Sequence, residues 1–237
     1  MILRYLSLLL FPATCLCCQK RTGDIYLCNS CQKHLPIQTK NTCPMCQKHS
    51  SDTGQTCMIC SESCPLDGSF GAFSYKETLV KNCIETLKYN FIPSLAQPLG
   101  TELAQKLRFL PIPLPDFLVP IPLHPFRFRY RGFNQSELLA NYLSSSLLPP
   151  LPLPVRNDIL QRIRYTKSQA RTKSRKERLH NLKNAFALHK KCPEGLLSGK
   201  RVWLIDDVAT TNATLIECAS ILKQHGASEV WGIVVAR

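Results

Sequence analysis

The sequence contains no run of about 20 consecutive apolar residues, the length that a membrane-crossing helix needs. Its apolar opening, MILRYLSLLLFPATC, concentrates hydrophobicity in Tyr5 to Phe11, which is short even for the core of a signal peptide. Pro12-Ala13-Thr14-Cys15 is a poor lipoprotein cleavage site. The opening therefore reads as an apolar helix or strand packed on the rest, and the expected compartment is a reducing cytoplasm. Acids are also scarce, with 16 Asp and Glu against 30 Lys and Arg, a formal net charge of +14. That balance favours anionic partners such as nucleotides, pyrophosphate or nucleic acid, without choosing among them. At 237 residues and 44% hydrophobic, the chain can build one full domain plus a small one.

What is abundant is cysteine, and it is unevenly placed. Ten of the 13 cysteines fall within the first 64 residues. Eight of those form four Cys-x-x-Cys pairs, Cys15/Cys18, Cys28/Cys31, Cys43/Cys46 and Cys57/Cys60, separated by 9, 11 and 10 residues. A disulfide framework is the reading for a secreted chain, whereas repeated tight pairs suit metal better. Two pairs supply the four thiolates of one tetrahedral zinc, so four pairs suit two zincs in a double zinc ribbon. The simplest assignment is sequential: Cys15, Cys18, Cys28 and Cys31, then Cys43, Cys46, Cys57 and Cys60. Spacing alone also permits an interleaved one, and Cys17 and Cys64 are left over as substitutes. Such closed sites are structural, with no open position for chemistry. Residues 61–75 then change from polar and turn residues to the apolar alternation of a strand. The expected division is a zinc-ribbon module over 1–65 and a second domain over 66–237.

Residues 202–214, VWLIDDVATTNAT, carry the strongest signal for a ligand. Val202 to Ile205 reads as a buried parallel strand. Asp206 and Asp207 follow, and two adjacent acids at a strand end are costly without a purpose. Thr210, Thr211, Asn212, Ala213 and Thr214 then form a tight loop opening into a helix. Such a loop offers backbone N–H groups, hydroxyls and a helix N-terminus to an anion. A ligand with its phosphate on the loop and its hydroxyls toward the aspartates is a ribose 5-phosphate.

Apolar spacing over residues 76–92 and 98–110 predicts two helices, the first carrying Lys88 in Leu87-Lys88-Tyr89. Phe117 to Ile121 reads as a strand, and PLHPFRFRYRGFNQ as the segment at its carboxyl end, where doubly wound folds bind ligands. Arg127, Arg129 and Arg131 alternate there with aromatic residues. Three arginines can clamp pyrophosphate through paired N–H donors. The same alternation can stack on and neutralise single-stranded nucleic acid. Gln135 to Leu147 reads as a helix capped by Asn134 or Ser136. Residues 147–155 are a proline-rich connector. Residues 160–183 carry nine Lys or Arg and one acid, Glu177. A final helix to about Gln224 has Cys218 on its buried face, and Glu229 to Ala236 is a last strand.

The acid pair followed by Thr210, Thr211 and Thr214 resembles the phosphoribosyl pyrophosphate (PRPP) motif of type I phosphoribosyltransferases. It departs from that motif at Asn212, where the family usually has Gly. Asn is the non-glycine residue that best tolerates a left-handed backbone, so the loop can keep its shape with less room for the phosphate. VPIPLHP, the RGFNQSELLA segment and the cysteine-rich beginning together resemble the ComF family (ComFC- and GntX-like proteins), named for a competence protein. The resemblance covers nearly the whole chain. It implies an α/β fold with a mostly parallel sheet of the type I phosphoribosyltransferase kind, preceded by a small zinc-ribbon module.

It further implies PRPP bound with Mg²⁺. Asp206 and Asp207 would hold the ribose hydroxyls, residues 210–214 the 5-phosphate, and Arg131 the pyrophosphate. The basic stretch sits where type I transferases keep a mobile lid, and Gln169, Arg178, Asn181 and Phe186 match the ComF-like pattern. Arg127, Arg129, Gln169, Arg175 and Arg178 are therefore the expected lid or nucleic-acid residues. No general base is evident, and no room follows the last strand for a base-recognition hood, so the acceptor stays open. Two readings follow. One is a phosphoribosyltransferase acting on an unknown acceptor, linked to natural competence and DNA uptake. The other is a catalytically weak protein that holds single-stranded DNA, with competence helicase-type proteins as partners.

Overall fold

The computed structural model describes residues 13–23, 25–166 and 181–237. The chain begins with two copies of one small unit. In the first, β1 (Ala13–Thr14) pairs antiparallel with β2 (Arg21–Gly23), and a short helix α1 (Asn29–Lys33) follows. In the second, β3 (Asn41–Thr42) pairs antiparallel with β4 (Ser50–Ser51) ahead of α2 (Met58–Ser61). Each unit turns at a Cys-x-x-Cys-Gln knuckle whose glutamine takes a left-handed backbone, Gln19 at φ 61° and Gln47 at φ 59°. The glutamine N–H closes the turn on the first cysteine's carbonyl, Gln19 on Cys15 at 3.0 Å and Gln47 on Cys43 at 3.0 Å.

The rest is an α/β fold. Its strands are β5 (Gly68–Phe73), β6 (Phe117–Pro120), β7 (Leu160–Arg162), β8 (Phe186–Leu188), β9 (Arg201–Val208) and β10 (Glu229–Ala236). Its helices are α3 (Thr78–Tyr89), α4 (Ala96–Leu107), α5 (Pro125–Arg131), α6 (Gln135–Leu147) and α7 (Ala213–Gln224). Four strands form one parallel sheet in the order β5-β10-β9-β6, and β7 and β8 make a separate antiparallel hairpin.

Both faces of the sheet are covered, which is why its strands read as continuous apolar runs rather than alternating ones. On one face, Ile84 and Leu87 of α3, Leu99 and Leu103 of α4 and Leu139 and Leu143 of α6 pack on Phe70, Trp203, Ile205 and Ile233. On the other, Leu215, Cys218 and Leu222 of α7 and Leu160 and Phe186 of the hairpin pack on Val119, Val202, Leu204 and Val234. Truncating one of these fully buried leucines to alanine costs about 2–5 kcal/mol.

The two cysteine units straddle the sheet. Cys15, Leu27 and Leu35 join the first core, and Cys43, Cys60 and Leu66 join the second. The link between them and part of the second unit run along the outer edge of β5. Gln38 N–H donates to the Ala72 carbonyl at 2.9 Å, and Ser69 N–H to the Gly54 carbonyl at 3.0 Å. Gly54 sits at φ +73°, and a Cβ there would lie 2.2 Å from the Ser69 carbonyl oxygen, so only glycine lets the backbones approach this closely. An edge that would otherwise offer unpaired backbone groups is thereby closed.

One segment differs from expectation. Residues 125–131, read as part of the loop at the carboxyl end of β6, form a helix. Pro125 occupies the first turn, His124 Nδ1 accepts the Phe126 N–H at 3.3 Å, and Gly132 at φ +80° ends the helix. As expected, Asp206 and Asp207 stand at the end of the strand, and β9 runs on through Val208 before the loop begins. Among the described residues, no helix is long and apolar enough to cross a membrane.

Candidate functional site

The carboxyl end of β9 opens into a cavity of about 300 Å³. Asp206 and Asp207 line it, held by partners from opposite directions. Asp206 Oδ1 accepts the Ser136 hydroxyl at 2.9 Å from the start of α6, and also the Asp207 N–H at 2.9 Å. Asp207 Oδ1 lies 2.7 Å from Lys88 Nζ near the end of α3. Burial first, and the neighbouring Asp207 charge second, push the Asp206 pKa up to about 7. Burial works against the Lys88 charge, but Asp207 beside it prevails and leaves the lysine pKa above its ordinary value.

The opposite wall is cationic. Arg127 and Arg131 project into the cavity from α5, and Arg162 from β7. Burial, reinforced by the nearby Arg127, pulls the Arg162 pKa down to about 10, and burial lowers that of Arg131. With Lys88, four cations line the cavity against two carboxylates. Two buried polar atoms on these residues have no hydrogen-bond partner, Asp207 Oδ2 and Arg162 Nε. Unpaired buried polar atoms are rare and costly. One negative and one positive group left this way in one cavity fit a ligand that carries hydroxyls or a cation at one end and an anion at the other.

The loop after β9 forms the cavity floor, where Thr210 and Thr214 line it. Asn212 takes the left-handed conformation at φ 57°, as its identity permits, and Ala213 opens α7. Asn212 is 2% exposed and faces away from the cavity lining. Its Oδ1 accepts the Ser69 hydroxyl at 2.9 Å, and its Nδ2 donates to the Pro44 carbonyl at 3.2 Å. Thr211 is inside the loop, with its hydroxyl buried and without a partner.

The eight paired cysteines form two groups, Cys15, Cys18, Cys28 and Cys31, and Cys43, Cys46, Cys57 and Cys60. The sequential assignment is the one adopted. Within each group all sulfurs lie within 4.8 Å of one another. Cys18 and Cys28 Sγ are 3.8 Å apart, as are those of Cys46 and Cys57. Tetrahedral zinc with Zn–S bonds of about 2.3 Å sets sulfurs about 3.8 Å apart. Both groups could therefore hold zinc. Backbone N–H groups of His49 and Lys48 pull the Cys46 pKa down to about 6, toward the thiolate that a metal needs. Cys17 and Cys64 stand outside both groups, one exposed and one buried.

Aromatic groups flank the mouth of the cavity. His124 stacks on Phe126, with ring centroids 5.3 Å apart, and Arg127 lies over the Tyr165 ring. One turn further along α5, Phe91 meets Tyr130 edge-on at 5.4 Å and Arg131 lies over Tyr89. Phe126 and Tyr130 are 64% and 79% exposed, so these flanks present open ring faces.

Of the expected ligand residues, the structure brings Asp206, Asp207, Thr210, Thr214, Arg127 and Arg131 together around one cavity. Asn212 and Ala213 lie behind its floor as buried supports. Arg129 is not at this cavity. It faces a separate groove with Pro120, Pro122 and Phe128, because in a helix positions four apart share a face and the intervening Arg129 points elsewhere. Gln169, Arg175 and Arg178 lie outside the described residues. Sequence reasoning missed Arg162, Ser136, Tyr75 and Tyr89 as lining residues and gave Lys88 no partner. For Arg162 a signal existed: it stands two residues after buried Leu160, the alternation that places both on one face of a strand.

No protein-family model matches the chain. It is 32% identical over 216 residues to Competence protein F of Haemophilus influenzae, covering 89% of this chain and 90% of that protein. It is 29% identical over 232 residues to DNA utilization protein YhgH of Escherichia coli K12, covering 94% and 97%. It is 28% identical over 213 residues to Competence protein ComFC of Streptococcus pneumoniae, covering 89% and 87%. Among solved structures, glutamine PRPP amidotransferase from B. subtilis aligns at a TM-score of 0.38 with 20% identity, over 61% of this chain and 26% of that one.

Proposed function

The chain belongs to the competence protein F (ComF) family, and from that premise we propose that it binds PRPP with Mg²⁺ and transfers the phosphoribosyl group during the handling of incoming DNA. The observation that carries this reading is the pairing of opposites in one cavity. Two carboxylates and a threonine loop meet three arginines and a lysine there, with Asp207 Oδ2 and Arg162 Nε buried and without partners.

In this reading the 5-phosphate takes backbone N–H groups at the start of α7 and the hydroxyls of Thr210 and Thr214. The ribose hydroxyls donate to Asp206 and Asp207. Arg131, Arg127 and Arg162 receive the pyrophosphate and neutralise the charge that builds on it as the bond from C1 to oxygen breaks. An acceptor nucleophile forms the new bond to C1 as pyrophosphate departs. The oxygen donors of Asp206 and Asp207 and of the pyrophosphate itself suit a hard cation, and Mg²⁺ bound there supplies further charge neutralisation of the leaving group. Lys88 pairs with one oxygen of Asp207 while the second oxygen remains available.

The exposed rings at the cavity mouth favour a second activity on the same face. His124, Phe126 and Tyr130 offer stacking surfaces beside arginines, the combination that holds single-stranded nucleic acid without regard to sequence. The relatives' names, competence protein and DNA utilization protein, support a role in DNA handling. Calorimetry with PRPP and Mg²⁺ on the wild type and Asp207→Asn tests the ligand site. Saturable heat from the wild type, lost in the variant, is expected, and absence of binding by the wild type removes the transferase reading.

A further inference from the structure

The second cysteine unit reaches into the ligand loop. Three side-chain hydrogen bonds join residues 210–212 to the second cysteine unit and to β5. Gln47 Nε2 donates to the Thr210 carbonyl at 3.0 Å, Asn212 Nδ2 donates to the Pro44 carbonyl at 3.2 Å, and Asn212 Oδ1 accepts the Ser69 hydroxyl at 2.9 Å. Pro44 lies between Cys43 and Cys46, and Gln47 immediately follows Cys46. Two of the three bonds therefore end on the Cys-x-x-Cys knuckle itself. The β3–β4 ladder of this unit holds two residue pairs, Asn41 with Ser51 and Thr42 with Ser50, and Arg237 at the end of β10 reaches Thr42 beside it. A two-stranded hairpin of that size is marginal alone, so the position of Pro44 and Gln47 depends on what Cys43, Cys46, Cys57 and Cys60 grip. The first unit is placed differently. It packs on the opposite face of the sheet, where Gln32 Nε2 of α1 donates to Glu102 Oε1 of α4 at 3.1 Å.

We infer that metal at the second cysteine group sets the shape of the 209–214 loop, with Gln47 and Asn212 as positioning residues that pass the knuckle's geometry to the phosphate cradle. The asparagine that stands where the related motif has glycine then has a purpose. Glycine could adopt the same left-handed backbone, but it could not reach both Ser69 and Pro44. The inference rests on the reading of this loop as the phosphate site only for its effect on binding. Its structural half stands apart from that reading.

The test uses the full chain and two readouts, hydrogen exchange of the amides in 209–216 and calorimetry with PRPP and Mg²⁺. Cys57→Ser with Cys60→Ser disables the second group, and Cys28→Ser with Cys31→Ser disables the first, with zinc content measured in each. Loss of the second group is expected to raise exchange across 209–216 on the order of tenfold and to weaken PRPP to a similar degree. Loss of the first leaves both within about twofold. Equal effects from the two double variants, or an unchanged loop after loss of the second group, overturn the inference. Should the second double variant unfold throughout, Gln47→Ala and Asn212→Gly decide. Both keep all eight ligands, and both are expected to raise loop exchange by roughly twofold to tenfold with the zinc content intact, the effect of losing one or two hydrogen bonds. No change in either would sink the proposal. If the wild type fails to bind PRPP, the functional reading falls, while loop exchange still judges this inference.

Discussion

Lys88 Nζ and Asp207 Oδ1 are 2.7 Å apart, with Asp207 almost wholly buried and Lys88 largely so. A carboxylate in this position costs several kcal/mol unless a cation faces it, and the lysine is what faces it. Lys88→Met should therefore destabilise the protein by about 3 kcal/mol, because it leaves a buried charge uncompensated. Asp207→Asn added to it should recover most of that loss. The lysine pKa is raised in the folded protein, so the stability from this pair is present through neutral pH and is lost only as pH climbs past the ordinary lysine range. Urea denaturation of the four proteins, wild type, each single and the double, checks this. A double variant as unstable as Lys88→Met would contradict the pairing.

Asp206 makes the opposite contribution. Its folded pKa of about 7 lies above the unfolded carboxylate value of about 3.9. The sign follows from proton counting: between those values the folded state binds more protons, so stability falls as pH rises from about 4 to about 7. Asp206→Asn should stabilise the ligand-free protein at pH 8, on the order of 2 kcal/mol. The same group makes ligand binding improve with pH. PRPP–Mg²⁺ affinity should rise through about pH 7 as the carboxylate forms, more steeply in the wild type than in Asp206→Asn. Calorimetry across that range, with identical ligand ionisation in both proteins, isolates the aspartate. Parallel profiles would show that Asp206 does not titrate there.

The parts of the site that were legible in the sequence are the contiguous ones. Asp206, Asp207 and the threonine loop sit within nine residues of one another, and their order along the chain is the order of the strand, its end and the helix start. The cysteine pairs are similarly local, and their sequential grouping follows because each unit closes on itself. What could not be read is what tertiary packing assembles. Lys88, Ser136 and Arg162 come from α3, α6 and β7, and nothing in their own neighbourhoods announces Asp206 or Asp207 as a partner. Arg129 groups with Arg127 and Arg131 only while the segment is read as a loop at the strand end. Pro125 and Gly132, a helix start and stop seven residues apart, were the better guide. In the sequence Asn212 is a departure from the related motif that leaves less room for the phosphate, and its side-chain bonds to Ser69 and Pro44 appear only once the cysteine unit is folded onto the loop.

The sulfur geometry carries a stoichiometric expectation. Purified protein should contain about two zinc ions per chain, since each needs four thiolates. Cys43→Ser should lower that to about one, as should Cys15→Ser, and neither Cys17→Ser nor Cys64→Ser should change it. Chelation should lower the unfolding midpoint, because the binding energy of each metal is part of the folding energy of its unit. Metal analysis by mass spectrometry decides. One zinc in the wild type, or a loss on replacing Cys64, would mean that the ligand sets are not the two that the sulfurs form.

The aromatic flanks are the feature on which DNA contact is most directly testable. Phe126 and Tyr130 are open to solvent, stand four residues apart on one face of α5 and are not needed to cap or close it. Stacking of a base on an exposed ring is worth about 1–3 kcal/mol, so Phe126→Ala and Tyr130→Ala should each weaken an oligothymidine by roughly fivefold to a hundredfold without altering the dependence on salt. Arg127→Ala should act the other way, lowering the slope of log affinity against log salt by about 0.7, the share of one phosphate contact on a single strand. Fluorescence anisotropy at several salt concentrations separates the two effects. If the aromatic variants bind as the wild type does while the arginine variant weakens, the rim attracts phosphates without stacking bases. A slope of zero for the wild type would remove nucleic acid from this face altogether, and the excess of positive charge around the cavity would then be there for pyrophosphate alone.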